Sequence, residues 1–256
     1  MIHTGSNSQT KSVAVIPARY NATRLPGKPL LKIAGKPLIV WVAERARAAA
    51  TISRTIVATD DPRIVDAVNA AGFDAVITRA DHATGTDRIA EVAHNLRADI
   101  IVNVQGDEPL IDPETIDRAV NALIENPDAQ MSTTWESITE AADATNPSVV
   151  KVTFDYNGYA TNFSRNPISN QSAERGASDF KKHTGLYAYR RDFLLQFARW
   201  PQSENEQKES LEQLRALDRG VKIIVVEAAS PSIGVDTLED LERVRTIVAG
   251  EMKATV

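Results

Sequence analysis

Three cations stand close together early in the chain: Arg19, Arg24 and Lys28, in a stretch shaped by Pro17, Pro26 and Gly27. They follow the apolar run 13–16, which reads as a buried parallel strand. Pro17 is expected to end that strand, because proline has no N–H for a ladder. A loop at the carboxyl end of a parallel strand is where open α/β sheets bind ligands. A guanidinium is a planar fork and an ammonium a point charge, so cations spaced along such a loop can hold successive phosphates. The stretch lacks the Gly-x-x-x-x-Gly-Lys-Ser/Thr of a Walker loop. A basic surface loop is the plainer alternative.

Two carboxylates could supply the matching half of the chemistry. Asp107 comes directly after Gly106 and the apolar run 100–104, so it falls at a strand's carboxyl end, where it could bind Mg²⁺. An ordinary acidic turn is the other reading. Asp236 lies just ahead of the last helical pattern. Between them in kind is the turn Thr84-Gly85-Thr86-Asp87-Arg88, a small-residue helix start that exposes free N–H groups and a positive dipole end. As a plain N-cap it would look the same.

The elements that must carry these groups alternate. Strands are expected at 55–58, 75–78, 100–104 and 131–135, and helices from about 37, at 63–71, 89–96 and 113–124. This pattern predicts an α/β fold with a mostly parallel sheet and helices on both faces. From 149 the pattern changes. A hairpin is expected at 149–154 and 159–164, then a mobile polar loop at 166–179. A strand with alternating faces follows at 183–190, with helices at 192–198 and 209–217, a strand at 221–227 and a terminal helix. The change suggests that 149–200 forms a smaller antiparallel lobe on a single domain spanning 12–256.

The chain has 256 residues, 43% hydrophobic and 25% charged, with a net charge of −5. A general nucleic-acid surface is not expected at that charge, so anionic ligands must be met by local cation clusters. With 0 cysteines, thiolate metal sites and cysteine nucleophiles are excluded. No apolar run reaches the roughly 18 residues of a membrane span. Residues 1–11 are polar, without the apolar core of a signal peptide, and are expected to form a disordered tail. The cytoplasm is the default location.

Taken together, the motifs resemble a known family. Ile-Pro-Ala-Arg-Tyr at 16–20, Thr-Arg-Leu-Pro-Gly-Lys-Pro at 23–29, Ala-Thr-Asp-Asp at 58–61 and Thr-Gly-Thr-Asp-Arg at 84–88 are similar to the 3-deoxy-manno-octulosonate cytidylyltransferases. So are Val-Asn-Val-Gln-Gly-Asp-Glu-Pro at 102–109, Phe-Ser-Arg at 163–165 and His-Thr-Gly-Leu-Tyr-Ala-Tyr-Arg at 183–190. Leu-Glu-Gln-Leu-Arg at 211–215 and the Gly-Val-Asp-Thr-Leu-Glu-Asp run from 234 complete an ordered set covering nearly the whole chain.

The resemblance implies a cytoplasmic, Mg²⁺-dependent homodimer with a Rossmann-like nucleotidyltransferase fold. It would make CMP-Kdo from CTP and 3-deoxy-D-manno-octulosonate (Kdo), releasing pyrophosphate, for lipopolysaccharide synthesis. Arg19, Arg24 and Lys28 would then hold the triphosphate, and Asp107 with Asp236 the metal. Ala18, Thr84, Gly85, Thr86 and Arg88 would read the nucleotide. Gln105 would serve nucleotide and sugar. Arg165 and His183 would meet the sugar carboxylate, and Tyr187, Glu212 and Gln213 its hydroxyls. Packing roles are open for His183 and Tyr187. Two departures fall on the sugar side: residues 166–171 lack the family's aromatic and basic pair, and Thr184 replaces an aliphatic residue. A related ulosonic acid such as 8-amino-Kdo, or another base and sugar, is the alternative.

Overall fold

In the computed structural model the described residues are 10–21, 24–166 and 181–254. The strands are β1 (Ser12–Ala18), β2 (Lys32–Ile33), β3 (Lys36–Pro37), β4 (Ile52–Thr59), β5 (Asp74–Ile77), β6 (Ile100–Asn103), β7 (Met131–Ser137), β8 (Lys151–Phe154), β9 (Ala160–Ser164), β10 (Lys181–Arg190) and β11 (Ile223–Glu227). The helices are α1 (Leu38–Ala48), α2 (Pro62–Ala70), α3 (Gly85–His94), α4 (Pro113–Glu125), α5 (Ala141–Thr145), α6 (Arg191–Phe197), α7 (Glu204–Glu209), α8 (Gln213–Leu217) and α9 (Leu238–Ala254).

The main sheet runs β11-β7-β10-β6-β1-β4-β5, with the β8–β9 hairpin attached to β10. Pairings β1–β4, β1–β6, β4–β5 and β11–β7 are parallel, whereas β10 is antiparallel to both β6 and β7. Side chains of β1 alternate between two cores, as period two requires. Ala14, Ile16 and Ala18 pack with α1, α4 and α9, through residues such as Val42, Val120 and Val244. Val13 and Val15 pack with α3 and α6, through Ile89, Phe193 and Phe197. The expected helices on both faces of a mostly parallel sheet are therefore present.

Four expectations are corrected. The first is that Pro17 does not end β1, which continues to Ala18 in register with Thr59 of β4. The β6 ladder on the other side has already stopped at the Val15–Asn103 pair, so the missing N–H of Pro17 falls where that neighbour has left. The second is that 209–217 is not one helix. Ser210 takes a left-handed conformation (φ 53) between α7 and α8, which lets Glu206 of α7 reach Arg215 of α8 at 2.7 Å. Third, residues 149–200 are not all set apart, since β10 is an interior strand of the main sheet and α6 packs on α3. The fourth concerns the end of the tail. Lys11 is tied by its main chain to Asp99, with N–H to carboxylate at 2.8 Å, so the last residue of the expected tail is held, while residues 1–9 lie outside the described residues. The loop expected at 166–179 lies, after Asn166, outside the described residues.

β10 also departs from strict alternation. Thr184 pairs with Thr134 and Tyr187 with Thr133, so Gly185 and Leu186 form a bulge opposite a single step of β7. A second close approach occurs where β6 runs out. A Cβ on Gly106 would stand 2.5 Å from the Pro17 carbonyl oxygen, closer than any carbon can sit. Only glycine lets the Asp107 segment lie against the end of β1. Gly106→Ala is expected to lower stability by about 1–3 kcal/mol, the range for overpacking a tight site. Urea unfolding would show it as a lower midpoint at unchanged slope, and an unshifted midpoint would mean that the backbone has room.

Candidate active site

The carboxyl ends of β1 and β6 carry the cationic loop and the acid segment toward one another. Lys28 opens a single 3₁₀ turn, Lys28–Leu30, entered through Gly27 in the left-handed conformation (φ 71). The Gly27 N–H closes the loop on the Tyr20 carbonyl at 2.9 Å. From this turn the Lys28 ammonium reaches Asp107 Oδ2 at 2.8 Å and Asp236 Oδ1 at 3.2 Å. Arg24 adds a contact to Asp236 Oδ2 at 3.0 Å. The two acid segments are joined by their backbones, since Val235 N–H donates to the Asp107 carbonyl at 2.9 Å. Residues 129 positions apart in sequence thus share one cation, by subtraction of 107 from 236.

A cleft of about 280 Å³ opens beside this cluster, lined by Ala18, Arg19, Asn21, Lys28, Gln105, Gly106 and Asp107 among others. Arg19 is fixed at one edge of its guanidinium, which donates to the His82 carbonyl at 2.6 Å. Gln105 Nε2 donates to the carbonyl of Gly185 in the β10 bulge at 2.7 Å. The turn 84–88 sits against the same region, with Gly85 packed on Pro17. Its Thr84 and Asp87 form a reciprocal capping box at the start of α3.

Not every expected site residue faces the cleft. Arg88 is fully buried, bonded to Asp60 at 2.9 Å and to the Thr78 hydroxyl, so it holds the turn from behind. Glu212 accepts from the hydroxyls of Thr84 (3.2 Å) and Thr86 and from Arg215 (3.3 Å). A residue expected on the sugar side is thereby tied to the turn that was expected to read the nucleotide. Burial raises the Glu212 carboxyl above the ordinary range, against the opposing effect of Thr86 and Arg215. Gln213 is buried, with Nε2 unpartnered among the described residues. Arg165 donates to the carbonyls of Glu209 (2.8 Å), Pro147 (3.2 Å) and Ser210 (3.4 Å), closing off the end of α7.

His183 is buried between the rings of Phe163 and Tyr187, at 5.1 and 5.4 Å, and its Nε2 lies 2.8 Å from the Thr133 hydroxyl. Burial drives its pKa down to about 3, so at neutral pH the ring carries no charge with which to attract a carboxylate. The Tyr187 hydroxyl is pushed well up, by burial and then by Glu212. Thr184, one of the two departures, meets the hydroxyl of Thr134.

Several residues near the site carry no sequence signal strong enough to single them out. Glu108 is pushed up to about 7, by burial and then by the Asp107 charge, with Glu136 and Lys182 also nearby. It stands in the same acid pair as Asp107, but nothing in the sequence says that its side chain turns inward. The Asn21 side chain is likewise hidden in the sequence, since only the folded loop brings it to the cleft, and so is the His82–Glu91 pair, which forms away from the cleft between the β5–α3 connection and α3.

The depressed His183 pKa gives a pH prediction. Between about pH 6.5 and 3 the unfolded chain binds a proton at this ring that the folded chain does not, so stability falls as pH drops through that window. His183→Gln is expected to shallow the acid side of the stability curve by up to about 1.4 kcal/mol per pH unit. Urea unfolding from pH 4.5 to 7 measures it, and parallel curves for the two proteins would show that the ring protonates in the folded state.

The cytidylyltransferase family matches residues 13–223 of the chain. A 3-deoxy-manno-octulosonate cytidylyltransferase from Geobacter sulfurreducens is 51% identical over 241 residues, covering 90% of this chain and 96% of that one. Its counterpart from Escherichia coli is 47% identical over 244 residues, covering 95% and 98%. Among solved structures, that of a CMP:2-keto-3-deoxy-manno-octonic acid synthetase complexed with CTP superposes with a TM-score of 0.90 at 47% identity, covering 94% of this chain and 100% of that chain. A 4-diphosphocytidyl-2C-methyl-D-erythritol synthase from Anaerococcus prevotii, at 14% identity and a TM-score of 0.63 over 94% and 97% of the two chains, shares the fold. The chain belongs to the cytidylyltransferase family, within the group of 3-deoxy-manno-octulosonate cytidylyltransferases.

Proposed function

We propose that this chain transfers CMP from CTP to the anomeric hydroxyl of Kdo, giving CMP-Kdo and pyrophosphate. The observation that carries the chemistry is the Lys28 ammonium set between Asp107 and Asp236, at 2.8 and 3.2 Å, beside a cleft lined by Arg19. Attack of a sugar hydroxyl on the α-phosphorus, in line with departing pyrophosphate, needs positioning and charge neutralisation more than covalent help. Arg19, Arg24 and Lys28 supply positive charge along the triphosphate. Gln105, anchored on the β10 bulge, stands where nucleotide and sugar meet. Glu212 keeps Thr84 and Thr86 in place for the base.

Asp107 and Asp236 fit a Mg²⁺ site, as two hard oxygen donors already gathered around a positive charge. Two carboxylates suit an ion that keeps water and takes its remaining ligands from substrate phosphates. When bound, Mg²⁺ neutralises phosphate charge and lowers the pKa of the attacking hydroxyl. The homodimeric assembly and cytoplasmic location belong to the same reading and rest on the family likeness. No helix among the described residues is long and apolar enough to cross a membrane.

The test is a matrix of CTP, UTP, GTP and ATP, each with Kdo, with 8-amino-Kdo and with no acceptor. Pyrophosphate release and the product mass are followed in every cell. CTP with Kdo is expected to give CMP-Kdo; acceptor-independent release, or preference for UTP, would defeat the proposal. Asp107→Asn and Asp236→Asn are each expected to lower kcat/KM by about 10³-fold or more, on the order of 4 kcal/mol of barrier, with an unchanged circular dichroism spectrum. Near-normal turnover of either variant at saturating Mg²⁺ would remove that carboxylate from the site.

A further inference from the structure

Arg19 is aimed by a part of the molecule that has no contact with the cleft. Its guanidinium donates to the main-chain carbonyl of His82 at 2.6 Å, and among the described residues the other edge of the fork has no partner and is open to a ligand. That carbonyl belongs to the connection between β5 and α3. The pair Arg79–Asp81 in this connection is mostly exposed, with side chains 69% and 78% accessible, and cannot order it. What fixes it is Glu91, on the second turn of α3. The Glu91 carboxylate accepts from the ring of His82, whose side chain is only 6% exposed, and from the Arg79 main-chain N–H at 3.3 Å. One carboxylate therefore holds both ends of the stretch 79–82.

We propose that Glu91 and His82 are positioning residues for the reaction, and that the pair sets the direction of Arg19 and so the affinity for the nucleoside triphosphate. The proposal rests on the reading of Arg19 as a triphosphate cation. An acceptor-only carboxylate keeps the His82 ring facing α3 and thereby keeps its carbonyl facing Arg19. Without Glu91, the buried His82 ring loses its partner, the connection relaxes, and the guanidinium is free to turn among rotamers. The entropy of ordering a long cation is then charged to ligand binding. Neither residue lines the cleft.

The test compares wild type, Glu91→Ala, Glu91→Gln, Arg19→Ala and the double variant Glu91→Ala/Arg19→Ala. CTP affinity is measured by calorimetry, and KM and kcat are measured for both substrates. Glu91→Ala is expected to weaken CTP binding and raise KM for CTP roughly tenfold, the weight of one hydrogen bond to a charged group. KM for the sugar and kcat are expected to stay within about twofold of wild type. Glu91→Gln, which still accepts from the ring, is expected to restore wild-type affinity. In the Arg19→Ala background the Glu91 change is expected to add nothing, because the residue through which it acts is gone. Unchanged CTP affinity in Glu91→Ala, a loss confined to kcat or to melting temperature, or a full tenfold loss in the Arg19→Ala background would each overturn the proposal. Calorimetry needs no acceptor, so failure of the Kdo reading would show in the acceptor matrix while this test still stands.

Discussion

Two carboxylates held against each other must be given a cation, and this requirement governs the arrangement around the cleft. Asp107 arrives at the end of β6 and Asp236 from the segment before α9, and the Val235–Asp107 main-chain hydrogen bond at 2.9 Å prevents them from drifting apart. Their repulsion is answered by Lys28, whose side chain is only 13% exposed, and by Arg24 at the more open side. An ammonium is a compact charge that can move between partners, so Lys28 can serve both carboxylates at once. The 3₁₀ turn after Gly27 is what carries Lys28 into that position.

The sheet makes this convergence possible through close backbone approach. Gly106 lies against the Pro17 carbonyl where any side chain would collide, so the ends of β1 and β6 can share one cleft. The antiparallel β10 inserted beside β6 adds a bulge, and its Gly185 carbonyl gives Gln105 a fixed acceptor at 2.7 Å. In a regular strand that carbonyl would be committed to a neighbour. Bulges beside a site re-aim groups in this way.

Behind the cleft, a buried polar network joins α7, α8 and the start of α3. Glu206 and Arg215 form an ion pair with both side chains 4% exposed, and Arg215 also lies over the Phe197 ring at 4.9 Å and touches Glu212. Glu212 in turn holds Thr84 and Thr86. Breaking such a network at one member strands the others, so it favours a single arrangement of α7, α8 and the start of α3. The break at Ser210 that divides α7 from α8 is what allows it, and Arg165 satisfies the carbonyls left at that break.

Local chemistry was legible in the residues themselves. The alternation of apolar runs with helical patterns identified the layered α/β fold, and glycine before an acid at a strand end marked Asp107. The cations after the first strand, together with the ordered motifs, pointed to the nucleotide. These signals are local because hydrophobic period, proline, glycine and charge act within a few residues of themselves. Tertiary structure decided which way each side chain turns. It gave Pro17 a place inside β1, because β6 had already diverged, and it split one helical pattern at Ser210 so that Glu206 could meet Arg215. It sealed His183 in an aromatic layer where burial removes its charge, and set Arg88 behind the turn it was expected to line. Contacts between residues far apart in the chain depend on strand order and register, and no short stretch of sequence carries that information.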